Sequence, residues 1–419
     1  MSLRRFLGHH PLARLGPGLI TGVADDDPSG IATYSQAGAA YGFGMLWTMP
    51  LAYPLMSAVQ LLSARLGRVT GKGLAANIRE IFPSPVLRTL VALLLLANVF
   101  NIAADIAAMG EAAELVLGFD RHAMTVAFVV ATLGLQVFVP YHRYVFFLKW
   151  LTLSLFAYVA VLFAVHVPWS EALRRTVWPH FTIDGNAATM IVGIFGTTIS
   201  PYLFFWQASE EVEDMRGAPS LLEAPDASDR ELGRINWDTW WGMLFSDAAA
   251  YFIILATAVT LHAAGVTQID SAAQAASALQ PLAGNFAGTI FALGILGVGM
   301  IGVPVLAGSA GYALCEAMGW KWGLERKASD ARAFYSVIAI SVLLALVLQY
   351  LPISPMRALF WSAVANGIVA VPLLVALILL VTKRSVMGQF RPSIVILTLA
   401  VLATLVMAAA GVATVVALI

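Results

Sequence analysis

The chain has 419 residues, 60% hydrophobic and only 11% charged, with a formal net charge of zero. A soluble domain carries about 25% charged residues, so the chain reads as an all-α polytopic membrane protein. The neutral balance gives no bulk attraction to nucleic acid, and the single cysteine, Cys315, leaves no internal disulfide and no redox pair.

The N-terminal "MSLRRFLGHHPLARLGPG" is basic, but no small-residue cleavage site follows an apolar core. It reads as a cytoplasmic lead-in rather than a signal peptide. A spanning helix needs roughly 20 mostly apolar residues. Eleven such segments are predicted: 15–41, 45–66, 87–118, 122–140, 145–168, 187–209, 239–262, 283–315, 333–351, 358–382 and 393–417. Residues 271–282 form a short extra helix, and the acidic segment 210–236 is the longest loop, a flexible cytoplasmic one. With the N-terminus inside, 20 of the 24 Lys and Arg residues are cytoplasmic, leaving Arg121, Arg174, Arg175 and Arg357 outside. This bias predicts an N-in, C-out protein.

Two spans are interrupted. Asp27-Pro28-Ser29-Gly30 breaks the first, and Gly196-Thr197-Thr198-Ile199-Ser200-Pro201 breaks the sixth. Proline removes a backbone donor and clashes with the preceding turn, and carbonyls freed at membrane depth must face a cavity, water or an ion. The broken spans each open a group of five, residues 15–168 and 187–382, with 393–417 as an added helix. An odd number per group inverts the second group, which is the layout of inverted-repeat transporters with a midplane site at the breaks. Asp27-Pro28 is also a sound N-cap followed by proline at the first helical position. A plain surface loop there is disfavoured, because flanking pieces of about a dozen residues cannot span alone.

The donors at the breaks are the Asp27 carboxylate, the Ala24 and Thr197 carbonyls, and the Ser29 and Ser200 hydroxyls. These are hard oxygen ligands suited to Mg²⁺, Ca²⁺ and Mn²⁺. No Cys or His lies near either break, so zinc, copper and haem have little support. Asp25 and Asp26 project about 100° apart and cannot both reach the same ion; they are pathway candidates. The His9-His10 pair makes no closed metal site, and no nucleophile–base constellation for an enzyme is present. No cofactor is expected, and the partners are a transported divalent ion and the lipid bilayer, with no obligate protein partner.

"GPGLITGVADDDPSGIATYSQAGAAYGFGMLW" resembles the first helix of the natural resistance-associated macrophage protein (NRAMP) divalent-metal transporters. "SARLGRVTGKGLA", residues 63–75, is similar to that family's Arg-Leu-Gly and Thr-Gly-Lys loop, and residues 366–388 resemble its tenth helix. The resemblance implies the eleven-helix form of the LeuT-type fold and alternating-access metal import. It puts the family's metal-binding aspartate on Asp27 and the asparagine that follows on Gly30. The family's sixth-helix Ala-Thr-Val-Met-Pro-His falls on Thr197 to Tyr202, so its methionine becomes Ser200 and its histidine Tyr202. A second histidine falls on Gln207. Sulfur favours softer metals; Ser200 offers oxygen, and Gly30 removes an amide and leaves space. A roomier all-oxygen site fits hydrated Mg²⁺, and the chain looks like the NRAMP-related magnesium-transporter branch. Mn²⁺ passes too in this reading; the alternatives are a proton-coupled Mn²⁺/Fe²⁺ carrier of the ordinary type and an amino-acid or amine transporter on the same fold.

The family's third-helix acids, associated with proton movement, are thinned here: Asp105 matches, but the glutamate position is Ala108. With Tyr202 and Gln207 replacing titrating groups, only Asp105 and Asp247 remain as relay candidates, so coupling is expected to be weak or absent. The membrane potential then supplies about 2.3 kcal/mol per charge per 100 mV. Glu210, Glu211, Glu213 and Asp214 read as a solvated charge run. Short loops point to a bacterial inner membrane.

Overall fold

The computed structural model describes residues 21–22, 24–139, 151–179, 185–215 and 217–418. The His9-His10 pair, the start of the first predicted span, the last residue of the fourth and residues 145–150 of the fifth lie outside the described residues.

The chain is helical along nearly all of its described length. In order come α1 (Pro28–Tyr41), α2 (Thr48–Thr70), α3 (Leu74–Ile81), α4 (Ser84–Leu117) and α5 (Arg121–Phe138). They are followed by α6 (Phe156–Ala164), α7 (Trp169–Val177), α8 (Gly185–Thr198), α9 (Pro201–Asp214) and α10 (Ser228–Thr257). The last four are α11 (Ala287–Met318), α12 (Arg332–Leu348), α13 (Pro355–Thr382) and α14 (Ile394–Leu418). Among the described residues, seven helices are long and apolar enough to cross a membrane. An eighth candidate is the pair Pro28–Met45 and Thr48–Thr70, bent by 114° where the first two predicted spans meet. The fifth and ninth predicted spans are represented by shorter apolar helices, Leu153–Ala164 and Arg332–Leu348. The predicted short helix is split into Ala272–Ser277 and Gln280–Ala283.

Both predicted breaks are present. Helical residues 24–25 give way at Asp26 and Asp27 before α1 begins at Pro28, and α8 gives way at Ile199 and Ser200 before α9 begins at Pro201. Proline at the first position of α1 and α9 costs no intrahelical bond, because that N–H has no partner in any helix.

The core forms where α11 and α13 each pack against α4 and α8 lies across α13. Close approach depends on small residues, as is usual between membrane helices. A Cβ at Gly196 would lie 2.0 Å from the Ala363 carbonyl oxygen, so the end of α8 rests directly on the α13 backbone.

Two regions depart from expectation. The segments α3 and α7 are helices where loops are predicted; both are too short for a span-length pattern to reveal. The segment 210–236 is not one flexible loop, because α9 runs to Asp214 and α10 begins at Ser228. The stretch between them is pinned to the end of α2, with the Leu221 and Leu222 amides donating to the Arg68 and Val69 carbonyls at 3.3 Å. Two acids of the run beside it are engaged rather than solvated, while Asp214 is exposed as expected. Glu211 is buried and pairs with Arg234 at 2.5 Å. Glu213 accepts from the Tyr312 hydroxyl and the Leu324 amide, both at 2.8 Å.

Candidate functional site

Asp27 stands in the gap between the first half-helix and α1. Its backbone is extended, with φ −70° and ψ 173°, which frees the side chain to turn back over the start of α1. Oδ1 accepts from the Gly30 amide at 2.9 Å and the Ser29 hydroxyl at 2.6 Å. This is the N-cap arrangement. Oδ2 accepts from Asn101 Nδ2 at 3.0 Å and from the Tyr202 hydroxyl at 3.2 Å. One carboxylate therefore gathers α1, α4 and α9.

The second break meets it closely. Tyr202 also approaches the Ala24 carbonyl at 3.1 Å, so the family-histidine position still touches both the acid and a freed carbonyl. Thr197 Oγ1 is buried and has no hydrogen-bond partner. A Cβ at Gly30 would lie 3.1 Å from that oxygen and 3.3 Å from the Tyr34 ring. Gly30 thus lets the two breaks touch; the space beside it is filled by Thr197 and Tyr34 rather than left roomy. The Ser200 hydroxyl lies 2.8 Å from both the Gly196 and the Thr197 carbonyls. It serves the unpaired end of α8, as serines near helix ends commonly do.

The pathway candidates separate into three places. Asp25 and Asp26 share one donor: the Ser246 hydroxyl of α10 lies 2.5 Å from Asp25 Oδ2 and 3.2 Å from Asp26 Oδ1. Asp247 lies within electrostatic reach of both. Asp105 is buried beside the Ser29 amide, with neither carboxylate oxygen in a well-formed hydrogen bond. Gln207 sits on the other side of the site, where it accepts from Thr21 and approaches Glu211 at 3.4 Å. Through Arg234 and Glu231 this line of contacts reaches Arg68 of α2.

Asp27, Thr197 and Ser200 are each 1% exposed, and Tyr202 is fully buried. The site is therefore closed to both sides. Its atoms are all oxygens and amides, and among the described residues no group of three or more His, Cys, Asp or Glu side chains could hold a metal. Any ion here would rely on one carboxylate with carbonyls, hydroxyls and water.

Two members of the site are absent from the sequence reading. Asn101 donates to Asp27, and Ser362 of α13 donates to Asn101 Oδ1 at 2.7 Å. Asn101 is one turn before Asp105 on the same face of α4, a spacing that marks it as Asp105's neighbour. Ser362 carries no local signal, because its role arises only from the contact of α13 with α4.

Comparison with known proteins fits this geometry. Residues 18–417 match the family described as natural resistance-associated macrophage protein-like. The divalent metal cation transporter MntH of Yersinia pestis (strain Pestoides F) is 29% identical over 302 residues, covering 71% of each chain. MntH of Verminephrobacter eiseniae is 29% identical over 411 residues, covering 93% of this chain and 85% of that one. Among solved structures, the Eremococcus coleocola manganese transporter superposes with a TM-score of 0.76 at 15% identity, over 99% of this chain and 87% of that one. Inward-facing Mhp1 superposes at 0.55 with 13% identity, over 96% and 89%. The fold is thus all-helical and LeuT-like. The chain belongs to the natural resistance-associated macrophage protein-like family, and is an integral membrane transporter rather than an enzyme.

Proposed function

We propose that this protein carries divalent metal cations across a bacterial inner membrane by alternating access, with Mg²⁺, Mn²⁺ or both as substrate. The observation that carries the reading is Asp27, a buried carboxylate at the meeting point of two helix breaks and surrounded by oxygen and amide groups alone. The relatives named as divalent metal transporters and the manganese transporter of like fold support the same class of substrate.

In this mechanism the incoming ion takes the place of hydrogens on Asp27 Oδ2. The Tyr202 and Asn101 donors yield that oxygen, while Ser29 and Gly30 keep Oδ1 fixed on α1. The Ala24 carbonyl, released from Tyr202, and the free Thr197 Oγ1 complete the protein's share, with Ser200 and the Thr197 carbonyl at its edge. A hard ion tolerates this set and keeps waters in the other positions. With no thioether at position 200, softer ions lose the ligand that favours them. The preference for Mg²⁺ therefore rests on the donor chemistry and not on extra room at Gly30.

Coupling to protons is weak or absent in this reading. Tyr202 occupies the position of a titrating imidazole, and Ala108 leaves Asp105 without the glutamate that the resemblance would put one turn on. Import follows the membrane potential, in an N-in, C-out molecule whose inverted halves are 15–168 and 187–382 with an eleventh helix at 393–417.

The test is uptake into liposomes of Mg²⁺ and Mn²⁺ with an internal pH dye. Mg²⁺ entry without acidification, lost in Asp27→Ala, is the expected result. Mn²⁺ entry with protons, and no entry or competition by Mg²⁺, would replace the proposal with a proton-coupled Mn²⁺/Fe²⁺ carrier. Uptake of neither ion would reopen the organic-substrate reading.

A further inference from the structure

Two arginines stand one turn apart near the end of α2, and their partners differ. Arg68 is buried, reaches Glu231 of α10 at 3.5 Å and donates to the Pro219 carbonyl at 3.0 Å. Arg65 donates through Nη2 to Asn236 Oδ1 at 2.9 Å, a neutral group, and its Nε is buried with no hydrogen-bond partner. Burial acts on the Arg65 guanidinium, and among the described residues no carboxylate does. Arg65 is thus a half-buried cation without a counter-charge.

The surroundings of Arg65 are apolar. Leu61 and Ala64 of α2 and Ile235 of α10 form a small buried cluster of their own, and Ile396 of α14 packs against it. The helices beside the cluster turn hydrocarbon outward. On α10 the Trp237 and Trp241 rings lie 5.7 Å apart and are both exposed, Trp237 at 57%, and Phe245 continues the stripe. Ile394 and Val395 are exposed at the start of α14, Ile394 at 74%. Tryptophan collects at the headgroup level of a membrane. Trp237 directly follows Asn236, the partner of Arg65, so the guanidinium lies at that level.

These features select a ligand class. A charge withdrawn from water is costly unless it is paired. A guanidinium meets phosphate oxygens with two parallel N–H bonds, and basic pockets between membrane helices hold anionic head groups. A metal ion would be repelled by Arg65, and a free anion would leave the hydrocarbon of α10 and α14 uncovered. An anionic phospholipid supplies both the phosphate and the apolar chains.

We propose that the seam between α2, α10 and the start of α14 holds one anionic phospholipid, with its phosphate on Arg65 and its chains along α10 and α14. The head group takes the place of the carboxylate that Arg68 finds in Glu231. It binds where α2 and α10 touch through Arg65 and Asn236, so an occupant stabilises that contact.

The test uses the purified, delipidated full chain without metal and so does not depend on the transport reading. Phosphatidylglycerol is the probe and phosphatidylcholine of the same acyl chains its zwitterionic counterpart, with the lipids bound per chain counted by native mass spectrometry. The expected result is one saturable phosphatidylglycerol site, with phosphatidylcholine weaker by at least about fivefold, the worth of one basic side chain against an anionic lipid. Arg65→Gln removes the charge, and Asn236→Asp gives Arg65 a carboxylate within the chain. Each brings the preference down to about twofold or less. Arg357→Gln removes an equal charge elsewhere, from a cation paired with Asp270, and leaves the preference within about twofold of the parent. Excess inorganic phosphate does not displace the lipid, because it cannot replace the chains. Asn236→Asp carries the test if Arg65→Gln does not purify as a folded, monodisperse protein. Equal binding of the two lipids, a preference that survives Arg65→Gln or Asn236→Asp, its loss in Arg357→Gln, or displacement by inorganic phosphate would each overturn the proposal.

Discussion

Asp27 and the pair Asp25–Asp26 are neighbours in sequence and opposites in environment. Asp27 meets four groups, two on each oxygen, drawn from its own helix, from α4 and from α9. Asp25 and Asp26 depend on a single hydroxyl, Ser246, and Asp25 Oδ1 has no partner at all. The difference comes from backbone geometry. Asp25 ends the first half-helix, whereas Asp27 is extended and can turn toward both breaks. A run of three acids is therefore one carboxylate held where the two breaks meet and two that lean on α10. A well-satisfied carboxylate is fixed in place before a cation arrives; a poorly satisfied one is open to whatever cation reaches it.

The sharpest way to break this comparison is to separate the two jobs of Asp27. Asparagine caps helices about as well as aspartate, so Asp27→Asn should keep α1 and the fold while removing the ligand charge. Uptake of Mg²⁺ or Mn²⁺ should fall by at least about tenfold, since ligand charge count sets the affinity of hard-ion sites. Asp27→Ala should lose uptake equally and also destabilise the protein by about 1 kcal/mol through the missing cap. Equal stability of the two variants, read from thermal unfolding in detergent, would show that the cap is dispensable.

The next effect lies with the pair. Ser246→Ala should leave both carboxylates without their shared donor and cost about 1–3 kcal/mol. Asp25→Asn in the Ser246→Ala background should recover part of that loss, because the amide carries no charge to bury. Failure to recover would mean that Asp25 does not need Ser246, and the contrast with Asp27 would narrow.

How far the sequence revealed this arrangement depends on the distance over which each feature is determined. The helix breaks are local: proline and glycine dictate them within a few residues, and Asp27-Pro28 carries its own cap. They were readable, and so was the position of Asp27 at the meeting point. Ser200 shows the limit of local reading. Its hydroxyl reads from sequence as an oxygen available to an ion, yet the carbonyls that the break itself frees lie within hydrogen-bond reach. Glu211 fails for the opposite reason: its partner Arg234 belongs to the next helix, so an acidic run seems solvated until α10 is in place. Asn101, Ser246 and Ser362 are polar residues in apolar helices, and their roles exist only once α4, α10 and α13 are packed.

Ser362 gives the smallest effect and the finest test. Its hydroxyl donates to Asn101 Oδ1 and can also reach the Leu359 carbonyl, both at 2.7 Å. With Oδ1 committed to Ser362, the Asn101 amide must present its N–H to Asp27. Ser362→Ala removes that constraint without touching Asp27. The stability cost should be small, about 1 kcal/mol or less, as for single hydrogen bonds between membrane helices. The effect on transport should be larger than the effect on stability, because the amide can then rotate and set its oxygen against the carboxylate. Asn101→Ala removes the N–H altogether and should raise the concentration for half-maximal uptake more than Ser362→Ala does. Combined, the two substitutions should do no more than Asn101→Ala alone, since interacting residues are not additive. An additive double variant would show that Ser362 acts on the site by some route other than Asn101.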